Sequence, residues 1–319
     1  MLTLVVALLV ALLPGASGAP QLPVVDAYST SAQLHHSSPT LADVDGDGAN
    51  ELVVGDLGGR VYVRVPGGDL GGWPAEIRIG ERGRTAVEST PTVVDLEGDG
   101  HNEVVVGAGS RWVPNQDGGL VILRADGSVR CTYQTLDLFD VWDESVGATP
   151  DGWSEGVMST PAIGDVDGNG TDDIVFGGWD NHVHAVDRSC RALPGFPFHV
   201  DDSVWSSPAL HDVDGDGDDE IFVGSAASPG GPENWSGGVF RALDWSPFNG
   251  GYVVVLWRQR IGEVIDSSPA IGDIDGDGRA EVVVGTGVFY GREVDVPDSR
   301  RVFAWHLDDG SPVDGWPYR

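Results

Sequence analysis

The sequence predicts an all-β fold, and three observations support this prediction. Glycine and proline are frequent, with 47 and 20 residues in a chain of 319. The apolar runs are short and rich in valine, a β-branched residue that favours strands. No segment has a convincing helical period of apolar residues. The chain is therefore expected to consist of many short strands joined by turns.

One repeat organises the sequence. Five segments open with Ser-Ser-Pro or Ser-Thr-Pro and then follow the same pattern for nineteen residues. The prolines of these openings are Pro39, Pro91, Pro161, Pro208 and Pro269. The shortest spacing, 47 residues between the third and fourth prolines, is close to the length of one four-stranded propeller blade. Each repeat is therefore expected to form one blade.

Each repeat contains four predicted strands. In the fourth repeat they cover residues 208–213, 220–224, 239–244 and 252–259. The second strand is apolar at successive positions, as in Leu52-Val53-Val54, so both of its faces must be buried. Blades that stack face to face bury both faces, whereas a sandwich with one solvated face would show alternation. The predicted architecture is thus a β-propeller of four-stranded blades.

Acidic residues recur inside every repeat in the pattern Asp-x-Asp-x-Asp-Gly-x-x-Glu, with few departures. Calcium takes about six to eight oxygen ligands, and glycine permits the tight bend that turns alternate side chains to one centre. The seventh position is expected to add its backbone carbonyl. An EF-hand would place a glutamate at position twelve, where these loops carry valine or phenylalanine. The pattern therefore predicts calcium loops that join two strands, not two helices.

The predicted calcium ligands occupy positions one, three, five, seven and nine of the five loops. They are Asp43, Asp45, Asp47, Ala49 and Glu51; Asp95, Glu97, Asp99, His101 and Glu103; Asp165, Asp167, Asn169, Thr171 and Asp173; Asp212, Asp214, Asp216, Asp218 and Glu220; Asp273, Asp275, Asp277, Arg279 and Glu281. About five structural calcium ions are expected, because crowded carboxylates repel one another until a cation binds. Glu97 at position three and Asn169 at position five are expected to weaken the second and third sites.

These loops, together with the Glu-Val-Val-Val-Gly strands that follow them, resemble FG-GAP repeats of the bacterial type also called VCBS repeats. Integrin α-chain propellers are relatives of this family. The resemblance covers residues 37–319 and implies that each calcium loop joins the first and second strands of its blade. Ser-Ser-Pro-Ala stands where integrins have Phe-Gly, so integrin-type ligand recognition does not carry over.

The end of the propeller leaves two alternatives open. The family usually closes with six to eight blades, whereas five repeats are visible here. The fifth repeat reaches Gly315-Trp316-Pro317 and stops where its fourth strand should begin. Residues 22–34 are expected to supply that strand by pairing with 302–306, which would close a five-bladed ring. The alternative is a truncated larger propeller, with further domains beyond Arg319.

The first residues have the pattern of a secretory signal. Residues 2–13 form an apolar run, and the small residues of 14–19 suit signal peptidase. The predicted organisation is a signal peptide at 1–19 and one propeller at 20–319. The run is shorter than the ~20 apolar residues of a membrane span. The chain is therefore expected to be secreted, without membrane insertion.

Cys131 and Cys190 are the only cysteines. Both fall near predicted turns between the third and fourth strands of neighbouring blades. One bridge is conceivable in an oxidising compartment, but free thiols are the default expectation from the pattern.

Charge and motifs narrow the function. The formal net charge of −32, from 50 acidic and 18 basic residues, argues against nucleic acid as a partner. No Gly-x-Ser-x-Gly, His-Glu-x-x-His or phosphate-binding glycine loop occurs, so no enzyme activity is expected. The predicted function is an extracellular binding or cell-adhesion module for a protein or glycan. The alternative is a polysaccharide lyase or glycosidase, or its accessory domain, with catalytic carboxylates among the many acids.

The ligand face is predicted from the places where the repeat accepts extra residues. Insertions follow the second strand at 108–118, 225–237 and 286–300, at the strand ends opposite the calcium loops. Loops on a rigid scaffold commonly carry recognition, and the residue before each Ser-Ser-Pro is expected to line one mouth of the central channel. The candidate ligand-binding residues are His36, Glu88, Trp205, Asp266, Arg111, Trp112, Trp153, Trp235, Tyr290 and Arg292.

Overall fold

The computed structural model describes residues 3–5, 27–137, 152–289 and 298–319. These residues form strands and a single short 3-10 helix, Phe248–Gly250, which confirms the all-β prediction. Among them, none belongs to a helix with the length and hydropathy of a membrane span. Strand β1 (Thr3–Val5) lies within the predicted signal peptide and pairs with β2 (Ala27–Ser29). The rest of that segment, 6–19, lies outside the described residues.

Five antiparallel sheets follow in chain order, one for each repeat. We call them blades one to five. Their strands are β3 (Thr40–Ala42), β4 (Glu51–Asp56), β5 (Arg60–Val65), β6 (Gly68–Asp69) and β7 (Ala75–Glu76); β8 (Thr92–Val94), β9 (Glu103–Ala108), β10 (Gly119–Leu123) and β11 (Val129–Gln134); β12 (Ala162–Gly164), β13 (Asp173–Gly177), β14 (His182–Val186) and β15 (Phe198–His199); β16 (Ala209–His211), β17 (Glu220–Ala227), β18 (Gly237–Ser246) and β19 (Tyr252–Ile261); β20 (Ala270–Gly272), β21 (Glu281–Gly285) and β22 (Val302–His306). The four strands predicted for the fourth repeat are all present, with ends shifted by a few residues.

The first serine of each repeat motif ties the first strand of its blade to the second. In blade two, Ser89 Oγ accepts a hydrogen bond from the Gly107 amide at 2.7 Å and donates to the Gly107 carbonyl at 3.1 Å. Ser159 with Gly177 makes the same two-way contact in blade three. Ser267 with Gly285 repeats this contact in blade five, and in blades one and four the serine accepts the amide hydrogen bond. A hydroxyl suits this position because it can both accept and donate.

The second residue of the motif links one blade to the next. Thr90 Oγ1 accepts a hydrogen bond from the Ser38 amide at 3.2 Å, and Ser207 Oγ accepts one from the Thr160 amide at 2.9 Å. Ser268 Oγ repeats this contact with the Ser207 amide. These bonds place the first strands of neighbouring blades side by side, as the inner strands of a propeller are.

The hydrophobic core lies between the blades. Four buried clusters fill the spaces between consecutive sheets. Along the second strand of blade two, Val104 and Val106 pack toward blade one, while Val105 packs toward blade three. Both faces of this strand are therefore buried, and the fold class predicted from the continuous apolar runs is confirmed.

In blades one to four, a glycine near the end of the second strand contacts a side chain from the following blade. A methyl group added at Gly177 would lie 2.2 Å from Val204 Cγ1 and 2.6 Å from Val204 Cβ. Gly55, Gly107 and Gly224 stand in the same relation to Val87, Val157 and Ile265. At Gly285 of blade five, a methyl group would meet only Ser267 of its own blade among the described residues.

We therefore expect Gly177→Ala to lower the free energy of unfolding by about 1–3 kcal/mol, the usual cost of overpacking. The matched control is Gly285→Ala, which adds the same methyl group at the equivalent position and is expected to change the free energy by less than ~0.5 kcal/mol. Urea unfolding followed by tryptophan fluorescence measures both. Equal losses in the two variants would contradict this account of how the blades pack.

The end of blade five differs from the sequence prediction. Val302, the first residue of β22, exchanges backbone hydrogen bonds with Tyr318 at 2.8 and 2.9 Å. The described part of the segment expected to pair there, 27–34, instead contacts blade one: the Tyr28 hydroxyl donates to the Val65 carbonyl at 3.0 Å. The Leu57 amide also donates to the Gln33 carbonyl. The predicted pairing is therefore wrong for these residues, because Tyr318 already fills the edge position.

Cys131 and Cys190 form a disulfide, with their Cα atoms 5.9 Å apart. Cys131 lies on β11, the edge strand of blade two, and Cys190 lies in the turn after β14 of blade three. The two blades are thus joined covalently at their outer side, and their first strands are joined by a hydrogen bond from Thr92 Oγ1 to the Pro161 carbonyl at 2.6 Å.

Candidate functional site

The acidic loops connect the first and second strands of each blade, as the sequence predicts. The glycines at positions four and six have positive φ in all five loops, for example 79° at Gly46 and 89° at Gly48. Glycine adopts this left-handed conformation at little cost. The two glycines therefore allow two tight bends within each loop.

The aspartate at position one organises its loop through backbone amides. In the first loop, Asp43 accepts hydrogen bonds from the Gly46 amide and the Gly48 amide, both at 2.8 Å. Asp95 does the same in the second loop, and the bond from the Gly100 amide is the main reason that its pKa lies below the ordinary value. This residue holds the loop closed as well as offering oxygens to a cation.

The acid at position nine begins the second strand and is buried in every loop. One of its oxygens always accepts a hydrogen bond from the backbone amide at position two, for example Glu220 from Val213 at 2.7 Å. The other oxygen of Asp173, Oδ1, is buried and has no hydrogen-bond partner among the described residues. A cation bound in the loop would satisfy such an oxygen.

Burial and neighbouring acids disfavour the charged form of several loop residues. Burial raises the pKa of Asp173 to about 7, with a further contribution from Asp167. Burial likewise raises the pKa of Glu220 to about 7, and Asp214 and Asp216 lie among the acids that add to the shift. The loops concentrate negative charge that nothing in the described protein neutralises fully.

The donor sets fit a hard divalent cation. Oxygens of Asp43, Asp45 and Glu51 all lie within 4.8 Å of one another, as do those of Asp165, Asp167 and Asp173. In the fourth loop, Asp216 belongs to two such groups, one with Asp212 and Asp214 and one with Asp218 and Glu220. These side chains offer only oxygen, which is the donor that calcium prefers.

The second and fifth loops each carry a basic neighbour. Arg130 lies 2.8 Å from Glu97 and 3.6 Å from Glu103 in blade two. In blade five, His306 Nδ1 lies 2.9 Å from Glu281 Oε1. A basic side chain competes with a cation for the same carboxylates. The second loop, where Glu97 replaces aspartate, therefore has a further reason to bind calcium weakly. The fifth loop is expected to bind weakly because of His306.

The loops gather on one side of the molecule. Asn102 of the second loop donates a hydrogen bond to the Asp43 carbonyl of the first. The Asp219 amide of the fourth loop donates to the Asp165 carbonyl of the third at 2.7 Å. Neighbouring loops therefore lie side by side, at the end of the blades where each first strand stops.

At the opposite end of the first strands, five of the candidate ligand residues converge with two further side chains. We call this set the mouth cluster: His35, His36, Glu88, Arg111, Trp112, Trp179 and Trp205. The Arg111 guanidinium lies 5.7 Å from the Trp112 ring, 5.7 Å from the Trp179 ring and 5.9 Å from the Trp205 ring. Four consecutive blades contribute residues to this cluster, and five of its seven residues are among the predicted ligand candidates.

Trp179 was not among the predicted site residues. It is buried, and its ring centroid lies 4.8 Å from that of Trp205 with the two rings tilted by 39°. Its indole N–H has no hydrogen-bond partner among the described residues. It directly follows the Gly177-Gly178 pair that ends a second strand. Trp179 lies two residues after Gly177, the glycine that contacts Val204 of the next blade. This position in the repeat is the sequence signal that could have identified it.

The remaining candidates lie elsewhere or outside the described residues. Trp153 contacts the Arg82 guanidinium at 4.3 Å, beside the first insertion. The Trp235 indole donates to the Ile261 carbonyl at 2.9 Å in blade four. Asp266 is exposed just before blade five. Tyr290 and Arg292 lie outside the described residues.

Comparison with known proteins supports the fold and the repeat. Residues 43–106 match the family model for the FG-GAP-like repeat, a span that runs from the first acidic loop into the second strand of blade two. A search of curated proteins gives no significant match. The residues matched thus contain an FG-GAP-like repeat, as the resemblance implied.

Two solved structures share the architecture. The C-terminal domain of Pseudomonas aeruginosa PilY1 matches with a TM-score of 0.57 at 13% identity, over 91% of this chain and 76% of that one. BamB from Moraxella catarrhalis matches with a TM-score of 0.51 at 13% identity, over 92% of this chain. The chain spans 63% of the length of that BamB chain. At these identities the likeness concerns the propeller fold alone.

Proposed function

We propose that this chain is a secreted, calcium-binding β-propeller that acts as an extracellular binding or adhesion module for a protein or glycan, without catalytic turnover. The observation that carries the proposal is the division of the molecule into two ends. Acidic loops occupy one end of the inner strands, and the mouth cluster occupies the other. A propeller-like fold with an FG-GAP-like repeat suits a binding module.

Calcium supplies charge neutralisation when bound and thereby fixes the loops. In this proposal the residues at positions one, three, five and nine hold the ion through side-chain oxygens, and position seven adds a carbonyl. The buried acid at position nine links the loop to the second strand. Glu220, for example, accepts a hydrogen bond from the Val213 amide. Each ion would therefore stabilise the hairpin that leads into the blade core.

Trp112 is the best-placed side chain for recognition. It is 52% exposed, and its ring lies 5.7 Å from the Arg111 guanidinium and 5.5 Å from the His35 ring. A large aromatic side chain that is exposed and held in place gives contact area at low entropic cost. We therefore expect it to lie at the centre of the interface.

The test uses two probes, an array of glycans and a set of immobilised extracellular-matrix proteins, with the full chain in calcium. Trp112→Ala is expected to weaken any binding at least tenfold and to leave calcium-dependent melting unchanged. Phe248→Ala is the matched control, because Phe248 is 64% exposed and lies on the outer side of blade four. Equal binding by both variants, or new reducing ends released from a polysaccharide panel, would contradict the proposal.

A further inference from the structure

Three side chains of the mouth cluster could bind a metal, a property that the proposed function does not use. His35 Nδ1 lies 2.5 Å from Glu88 Oε1, and His36 Nδ1 lies 3.6 Å from the same oxygen. One ligand atom from each of the three residues lies within 4.8 Å of the others. Two imidazoles and one carboxylate are a common ligand set for zinc.

The backbone brings the two histidines to the same carboxylate. Successive side chains of an extended chain point to opposite sides. His36 instead has φ 56°, in the left-handed region that residues other than glycine seldom adopt. The two imidazole rings lie 4.0 Å apart as a result. This local conformation turns an adjacent pair into two donors aimed at one place.

The hydrogen bonds within this group leave one oxygen of Glu88 without a partner. Its side chain is fully buried, yet Oε2 has no hydrogen-bond partner among the described residues. A buried carboxylate oxygen without a hydrogen-bond partner destabilises the folded state. A metal ion shared with the histidines would satisfy the carboxylate and balance its charge.

We propose that His35, His36 and Glu88 bind one transition-metal ion of the zinc class at the channel mouth, separately from the acidic loops. Imidazole nitrogen suits zinc and related metals, whereas calcium prefers oxygen. The 3.6 Å between His36 Nδ1 and Glu88 Oε1 is close to the roughly 3.3 Å between two ligands on a tetrahedral zinc with bonds of about 2.0–2.1 Å. The 2.5 Å between His35 Nδ1 and Glu88 Oε1 is shorter than this spacing, so this hydrogen bond must open when the metal binds. Three protein ligands leave a fourth position for water or for a donor from a partner.

The site bridges two blades. His35 and His36 precede the first strand of blade one, and Glu88 precedes the first strand of blade two. His36 and Glu88 occupy the same position of the repeat, where the other blades carry Met158, Trp205 and Asp266. The site is therefore specific to one pair of blades and is not a property of the repeat.

The test is a zinc titration of the full chain, with about 5 mM calcium present to occupy the acidic loops. Competition with a chromophoric chelator measures affinity, and cobalt in place of zinc reports nitrogen ligation through its visible absorption. We expect one zinc per chain. Loss of a residue that merely orients a ligand commonly weakens metal binding about 10–100-fold, so loss of a direct ligand should cost at least as much.

The variants are Glu88→Gln and His36→Gln, both expected to weaken zinc binding at least tenfold and to abolish the cobalt spectrum. The His36 side chain is 46% exposed, so His36→Gln is expected to fold. It therefore tests the proposal even if Glu88→Gln, at a buried position, fails to fold. His199→Gln is the matched control, because His199 is part of the other close histidine pair, with its ring 4.9 Å from that of His182. Unchanged zinc affinity in His36→Gln, or loss of binding in His199→Gln instead, would overturn the proposal.

Discussion

Removal of calcium is expected to lower the melting temperature by at least about 10 °C. At a calcium concentration roughly ten times the dissociation constant of the weakest loop, each of the five sites stabilises the folded state by at least about 1.4 kcal/mol, and the contributions add. In a chain of this size each kcal/mol shifts the melting temperature by about 2–4 °C or somewhat less. Thermal melts in calcium and in excess chelator measure the difference, with magnesium as the control cation, since its small octahedral shell suits these loops poorly.

Glu220→Gln distinguishes bound calcium from a general effect of the chelator. Glutamine keeps an oxygen for the Val213 amide but removes one negative charge. In calcium the variant should melt below the wild-type chain, because a ligand charge is lost. In chelator it should melt at the same temperature or higher, because burial and nearby acids oppose ionisation of Glu220. Wild-type melting that does not change in chelator would contradict structural calcium.

Loss of the disulfide is expected to cost about 2–4 kcal/mol of unfolding free energy. The bond closes a loop between residues 59 positions apart, so its absence leaves the unfolded chain freer. It also joins the edge strand of blade two to the outer turn of blade three. The Cys131→Ser/Cys190→Ser double variant should therefore unfold at lower urea concentration than the wild-type chain.

Reductant supplies the control for this prediction. It should lower the stability of the wild-type chain to that of the double variant and leave the double variant unchanged. A wild-type chain that keeps its full stability in reductant, with free thiols shown by labelling, would contradict the covalent link.

The parts of the fold that follow a local rule could be predicted from sequence. The acidic loops and the strands beside them recur in five copies, and each copy uses the same glycines and the same buried acid. The strand positions of blade four were therefore accessible from spacing and hydrophobicity alone. Local patterns determine these elements because each is completed within one hairpin.

The parts that depend on contacts between distant residues were not accessible. Tyr318 as edge partner of Val302, Trp179 beside Trp205, and the pairing of Cys131 with Cys190 all depend on the position of one blade relative to another. The same is true of the mouth cluster, where His35 meets Glu88 only because blades one and two are adjacent. A repeat indicates that such neighbours exist but not which side chains they bring together.

The glycine that ends each second strand has a consequence for cooperativity. Because Gly55, Gly107, Gly177 and Gly224 each receive a side chain from the following blade, much of the packing energy belongs to the junctions and not to single blades. Such a molecule behaves as a nearest-neighbour lattice, in which an opened blade withdraws support from the one before it. In blade five, Gly285 receives no such side chain among the described residues, so this type of contact couples blade five only to the blade before it.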